Sequence, residues 1–423
     1  MRKITLFIVF LLGFVPVAFA QWTIDDCQQK AKENYPLIRK YNLIEQSTAY
    51  NLSNASKAYL PQFQFNARAT YQSEVTSLPL SLPGIEIPSL KKDQYQATLE
   101  ASQIIWDGGA VRSQKKLTEA GSEVESKQVD VEIYALEDRV NQLFFGILMF
   151  DAQLELNQIL QDQLQRNYTT VASYIENGMA NQADLDAVKV EQLNARQVST
   201  QIQSTRQAFV EMLAMMMGEK LSGDVSLEHP DAVALYEKSL ISSEINRPEM
   251  QLFEAQNRLF DTQKDLIQSA YMPKVGLFLQ GGIGRPGLNM LSNEFGPFYI
   301  GGIRLTWNFG ALYTQKNDMQ KIEVNKNTVN TQKDVFLYNV NLAVTRENQD
   351  IKRLKEMMKY DDEIIALREN IRKSAEAKVA NGTLTVTDLM QEVSRENSAR
   401  QTKAAHEIDL LIAIYNLKNT TNN

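Results

Sequence analysis

The sequence predicts an α+β membrane protein in which long helices are twice interrupted by a pair of β-strands. Three observations carry that prediction. The chain opens on an export signal, it is written twice in tandem, and each half passes from a helical to a two-residue hydrophobic period and back.

The first twenty residues set the compartment. Arg2 and Lys3 give a positive start, Ile4 to Val17 is an almost unbroken apolar run, and Ala18-Phe19-Ala20 is a small-x-small cleavage site. This is the pattern of a secretory signal peptide over 1–20, with the mature chain expected to begin at Gln21. Beyond it no unbroken apolar run reaches the roughly 18 residues a membrane helix needs. A membrane crossing therefore falls to β-strands. The formal net charge is −7, and loss of Arg2 and Lys3 makes it more negative. That balance argues against the basic stripe of a nucleic-acid binder. Cys27 is the only cysteine, which excludes an internal disulfide framework and a Cys-rich zinc site. Its setting after Ile24-Asp25-Asp26 is no lipidation signal, and a plain helix position is expected for it.

The duplication rests on four anchors in the same order. Ala58-Tyr59-Leu60-Pro61 recurs as Ala270-Tyr271-Met272-Pro273, and Asn34-Tyr35-Pro36 as Asn246-Arg247-Pro248. Ile105-Trp106-Asp107-Gly108-Gly109-Ala110 answers Thr306-Trp307-Asn308-Phe309-Gly310-Ala311. Asn177-Gly178 followed by Asp184-Leu185 answers Asn381-Gly382 followed by Asp388-Leu389. The first repeat is placed at 21–220 and the second at 240–423, with a connector at 221–239 that holds Gly223 and His229-Pro230.

Each repeat reads helix, two strands, long helix, turn, return helix. The first helix is expected from Ile24 to Ala58, stopped by Pro61. Strands follow at about 62–76 and 94–106, then at about 274–284 and 299–307 in the second repeat. In the first, Phe63, Phe65, Ala67, Ala69 and Tyr71 alternate with Gln62, Gln64, Asn66, Arg68 and Thr70. In the third, the alternation of Val275, Leu277, Leu279 and Ile283 is interrupted by Phe278. About ten residues per run suits a tilted strand crossing a bilayer, and the aromatics Phe63, Tyr71, Tyr95, Trp106, Tyr299 and Trp307 suit an interfacial girdle. Loops 77–93 and 285–298, rich in Pro and Gly, suit long outside loops. The helices from Val111 to Glu176 and from Ala311 to Ala380 hold no proline, and about 66 residues at the usual rise make about 100 Å. Val188, Ala195, Ile202 and Phe209 sit one heptad apart, a coiled-coil seam.

Four strands cannot close a barrel in lipid, because each edge would leave backbone groups unpaired. Two copies would give eight strands with a filled interior, and three would give twelve around an open lumen. The polar set Gln64, Asn66, Arg68, Gln94 and Glu100 suits water, which favours three. With its duplication, its inserted strand pairs and its paired turns at Gly178/Asp184 and Gly382/Asp388, the mature chain resembles the TolC family of outer-membrane efflux proteins. The resemblance implies a homotrimer with four transmembrane strands per protomer, a twelve-stranded barrel, and a long periplasmic α-helical coiled-coil barrel. It implies a passive outer-membrane duct that meets a periplasmic adaptor protein and, through it, an inner-membrane pump.

The resemblance also assigns a site. It places the periplasmic aperture and adaptor contact at Asn177, Gly178, Asp184, Asn381, Gly382 and Asp388, with three copies of Asp388 around the trimer axis. Two positions depart from the family pattern: Leu384 stands where many members have an arginine, and Gln391 where a second aspartate is common. Read from the residues alone, each glycine is a left-handed helix stop and each aspartate a favourable charge in the first turn of the next helix.

Enzymatic readings find little material. Gly282-Ile283-Gly284-Arg285-Pro286-Gly287 matches G-x-G-x-x-G, but a strand follows where a dinucleotide site needs a helix. His229 and His406 are the only histidines, too few for a multi-histidine metal site. Met212, Met215, Met216 and Met217 could bind copper but read first as packing. No enzyme activity, cofactor or metal is expected. A surface coiled-coil adhesin is the alternative class, and the strands inserted twice between helices argue against it.

Overall fold

The computed structural model describes residues 21–76, 90–221, 223, 225–232 and 245–422. The signal segment 1–20 and the stretch holding Pro79, Pro83, Gly84 and Pro88 lie outside the described residues. The chain divides into two compact units, Pro36–Tyr134 with Asn246–Asn341, and Met1–Tyr35 with Ala135–Ile245 and Leu342–Asn423.

The first unit is built around one antiparallel sheet in the order β1-β2-β3-β4. Its strands are β1 (Gln62–Tyr71), β2 (Asp93–Trp106), β3 (Lys274–Arg285) and β4 (Gly296–Thr306). The two repeats therefore meet where β2 pairs β3. The expected first strand stops at Tyr71 rather than near 76, although the backbone N–H of Gln72 still donates to Lys92 O at 2.9 Å. The fourth begins earlier than expected, at Gly296, because Gly296 pairs Gly284 across the hairpin.

The expected continuous helix 24–58 is broken. It consists of α1 (Ile24–Asn34), a 3-10 turn at Pro36–Ile38, α2 (Arg39–Ser56) and a second 3-10 turn at Lys57–Tyr59. Pro36 has no N–H to donate and pushes the preceding residue out of helix; Tyr35 stands at φ −64, ψ 124. In the second repeat α5 (Pro248–Ala270) begins on the equivalent proline, which serves as its first helical residue.

Two helices start where the sheet ends. The Asp107 carboxylate accepts the N–H of Gly109 at 2.9 Å and of Val111 at 2.7 Å, capping α3 (Ala110–Glu176). Asn308 accepts the Gly310 N–H at 3.1 Å ahead of a 3-10 turn, Phe309–Tyr313, and α6 (Gln315–Ala380). The tyrosine of the repeated Ala-Tyr-x-Pro anchor works alike in both repeats. The Tyr59 hydroxyl donates to Asp107 at 3.3 Å, and that of Tyr271 to Asp318 at 2.8 Å. Burial and then the Asp318 bond raise the Tyr271 hydroxyl, while bonds from Tyr271 and Thr314 lower Asp318.

The second unit packs α1, α4 (Gln182–Met217) and α7 (Val386–Thr421) with the later parts of α3 and α6. One buried cluster joins Cys27, Val140, Phe144, Phe145, Ile147, Leu213, Leu411 and Tyr415. The Phe145 and Tyr415 rings lie 5.1 Å apart. The heptad seam of α4 is buried at Val188 and Ala195, and Phe209 lies against Gly146, where an added Cβ would meet its ring at 2.5 Å. Arg206 ties the connector down, donating to Asp151 and to the carbonyls of Gly223 and Val225. Among the described residues α3 alone is long and apolar enough in one 18-residue window, at mean hydropathy 1.2, to qualify as a membrane span by composition. Its apolar residues Phe144, Phe145 and Ile147 are 0–1% exposed in the unit's own core.

Candidate functional site: a two-faced sheet and paired helical turns

Register sorts the sheet residues into two faces. Along one face the rows run Phe63–Ala101–Leu279–Gly301, Phe65–Leu99–Gly281–Tyr299 and Ala67–Ala97–Ile283–Pro297. Along the other they run Gln64–Glu100–Gln280–Ile300 and Asn66–Thr98–Gly282–Phe298. The first face is apolar and open: Phe63, Phe65, Tyr299 and Ile303 are each 69–78% exposed. A large apolar face of this kind does not stay in water unless something covers it.

Phe278, which interrupts the sequence alternation, keeps the structural one. It lies on the polar face beside Gly302, whose added Cβ would meet its ring at 3.2 Å. Arg304 reaches across β3 to Glu100 at 3.2 Å, and its guanidinium lies over the Phe278 ring at 4.5 Å. Phe298 covers Gly282 in the same manner. The aromatics thus fill space that glycines leave, a cross-strand relation invisible in either strand alone.

The predicted girdle residues fall in several places. Phe63, Tyr71, Tyr95 and Tyr299 share the apolar face by register, with Tyr71 at one end of β1 and Phe63 near the other. Tyr299 shares a middle row with Leu99 and Phe65 rather than a strand end. Trp106 returns to that face through a bulge between Ile104 and Trp106. Trp307 lies past β4; its indole N–H donates to Tyr271 O at 3.0 Å and its ring stacks on Phe309 at 4.5 Å. Arg285 ion-pairs with Asp93 and lies over the Tyr95 and Phe295 rings at 5.2 and 5.4 Å.

The two turns of the second unit are built alike. Gly178 and Gly382 take φ +74 and +69, with no atom within 4 Å of an added Cβ. After each, the chain folds back on its helix: Met179 N–H donates to Tyr174 O at 2.8 Å, and Thr383 N–H to Lys378 O at 2.9 Å. Asn177 and Asn381 each donate a side-chain N–H to the carbonyl four residues earlier, at 2.8 Å. Asn181 and Asp184 form a reciprocal capping box at 3.1 and 3.0 Å. Thr385 accepts the Asp388 N–H at 3.1 Å and donates its hydroxyl to that carboxylate at 2.6 Å.

Both aspartates therefore sit in the first turn of their helix and bond to its N-cap residue, Asn181 or Thr385. The caps Asn181 and Thr385 escaped the sequence reading, although a polar residue three before an acidic one was the available signal. Leu384 packs with Leu185, Val188, Val386, Leu389 and Val393 in one cluster that joins the two turns.

Strand pairs set inside duplicated helical hairpins define a TolC-like fold. Residues 28–219 match the family of outer membrane efflux proteins. The fold is shared with the outer-membrane channel OprN at 11% identity and TM-score 0.68, over 94% of this chain and 89% of that one. It is shared with the outer membrane protein VceC of Vibrio cholerae at 11% identity and TM-score 0.66, over 95% and 96%. The open state of the MtrE outer membrane channel of Neisseria gonorrhoeae follows at 13% identity and TM-score 0.64, over 95% and 89%. No curated protein matches the sequence significantly. In its first repeat the chain is similar to outer membrane efflux proteins, and over nearly its whole length it shares their TolC-like fold.

Proposed function

We propose that three copies of this chain close a twelve-stranded barrel in the outer membrane and form a passive duct for export. The observation that carries this reading is a sheet with two open edges, β1 and β4, and one face that is apolar across its middle rows. In lipid such edges find partners only in further copies, β4 of one chain against β1 of the next. The polar face, with Gln64, Asn66, Arg68 and Glu100, then lines a wet lumen. The paired turns at Gly178 and Gly382 form the periplasmic aperture and contact a periplasmic adaptor, which couples the duct to an inner-membrane pump. Energy comes from that pump, since nothing in this reading asks the duct for chemistry.

The test joins mass to conductance. Native mass spectrometry of detergent-solubilised protein should give about 140 kDa, three mature chains, and the same sample should open channels in planar bilayers. Three Asp388 carboxylates near one axis should attract multivalent cations. Trivalent cations added from the periplasmic side should then block the wild type. Asp388→Asn keeps an oxygen for the Thr385 hydroxyl but loses the charge, so most of the block should disappear. A stable monomer would overturn the assembly, and equal block in both proteins would leave Asp388 only its bond to Thr385.

A further inference from the structure

Charge is divided unevenly between the sheet and the rest of the chain. The protein is acidic, with a net charge of −7. Its strands nevertheless hold the cations Arg68, Lys274, Arg285 and Arg304 against only two carboxylates, Asp93 and Glu100. Both carboxylates are taken. Asp93 pairs with Arg285 on the apolar face, and Glu100 with Arg304 on the polar face at 3.2 Å. Arg68 and Lys274 are left over. Both are exposed, and among the described residues neither side chain has an ion-pair or hydrogen-bond partner.

Register puts both on the polar face. Arg68 stands in the row Arg68–Gln96–Gly284–Gly296. Lys274 pairs Thr306, one same-face step from the Gly276–Arg304 pair. From Lys274 to Gly284 the strand runs about 33 Å at the usual rise, several times the screening length of about 8–10 Å in physiological salt. The two cations therefore set the sign at two separate depths. The segments that join the strands, 72–92 and 286–295, hold Lys91 and Lys92 against Glu74, Glu86 and Glu294. Both joins leave from the Arg68 end of the sheet, a strand's length from Lys274.

We propose that the barrel is an exit for anionic solutes, with Lys274 as its main selective ring and Arg68 as a second. The inference rests on the duct reading, in which the polar face lines the lumen and each cation occurs once in each of three copies. Rings of Lys or Arg around a pore favour carboxylate, sulfonate or phosphate groups. A lipid-backed wall of low dielectric concentrates their field across the lumen. The sign is opposite to that of the Asp388 carboxylate in the other unit, so the two sites are separable by experiment.

Inositol hexakisphosphate is a compact polyanionic probe, and inositol its uncharged counterpart. In planar bilayers holding the full-length protein, the hexakisphosphate added on the side of the hairpin loops should reduce the current, and inositol should not. Raising KCl from about 0.1 to about 1 M should weaken the block, because the screening length falls to about 3 Å. Lys274→Gln should raise the half-blocking concentration about tenfold, and Arg68→Gln should raise it by less. Lys274→Arg, which keeps the charge, should block like the wild type, as should Asp388→Asn. No block of the wild type by about 1 mM, equal block by inositol, or the same half-blocking concentration for Lys274→Gln would each overturn the assignment while the duct stands. A protein that opens no channels would overturn the duct reading itself.

Discussion

Cys27 is fully buried in the cluster of α1, α3, α4 and α7, and its thiol is pushed up to about 12, first by burial and then by Asp26. The thiolate is the reactive form, so this cysteine should be inert in the fold. Maleimide at pH 8 should leave native protein unlabelled and label it fully in denaturant; fast native labelling would contradict the burial. The sign of its pH effect follows. The folded value exceeds the ordinary 9.0, so the thiol's contribution is complete below pH 9 and is lost as pH rises towards 12.

Glycines separate two demands at the same scale. Gly178 needs only a left-handed backbone, whereas Gly108, at φ +70, also stands where an added Cβ would meet the Met272 Cβ at 2.3 Å. Gly178→Ala should therefore cost about 1 kcal/mol. Gly108→Ala should cost several times more, read as a larger fall in melting temperature; equal falls would refute the close approach. The second repeat has Phe309 at this position, stacked on Trp307. That is why the anchors differ there while the cap, Asp107 or Asn308, is kept.

At the scale of elements, the strands show what a period can and cannot state. The alternation of β1 was plain in its residues, and its pairing with β2 keeps Phe63, Phe65 and Tyr71 on one face. In β3 the residue Phe278 blurred the pattern, because glycines on β4 make room for a ring on the polar side. The face assignment yields a paired test. Phe65→Lys should cost about 2–4 kcal/mol in lipid and deplete assembled protein in outer-membrane fractions. Gln64→Lys, which places a cation opposite Glu100, should assemble normally. Equal loss from both would show that the faces are not distinguished by lipid and water. The break at Pro36 belongs here as well: the helical period runs across it, and only the missing N–H and the extended Tyr35 reveal two helices.

At the scale of the whole molecule, the two repeats act as copies of one plan. The turns at Gly178 and Gly382 share the same glycine conformation, the same asparagine bond and an aspartate that accepts from the N-cap residue three positions before it. Proline at Gly382 forbids the left-handed conformation. In a strain lacking its own duct, Gly382→Pro should lose export while barrel insertion, scored as heat-modifiable trimer, persists. Normal export would remove the turns from the aperture.

By itself the sequence determined the duplication, the change of hydrophobic period, the helix stops and the strand-pair insertions. Each is written in residues a few positions apart, where backbone preference and side-chain period act directly. The tertiary structure alone decided that β2 pairs β3, that Arg304 reaches Glu100 over Phe278, that Thr385 and Asn181 cap their helices, and that Lys274 shares the polar face with Arg68. Except for the caps, these join residues far apart in the chain, and no local preference specifies register or contact across such separations. The caps are local, yet a threonine or asparagine becomes a cap only when the preceding turn sets its backbone extended. Register is settled when the faces are buried or solvated together, because a slip of one residue would turn every side chain to the wrong side.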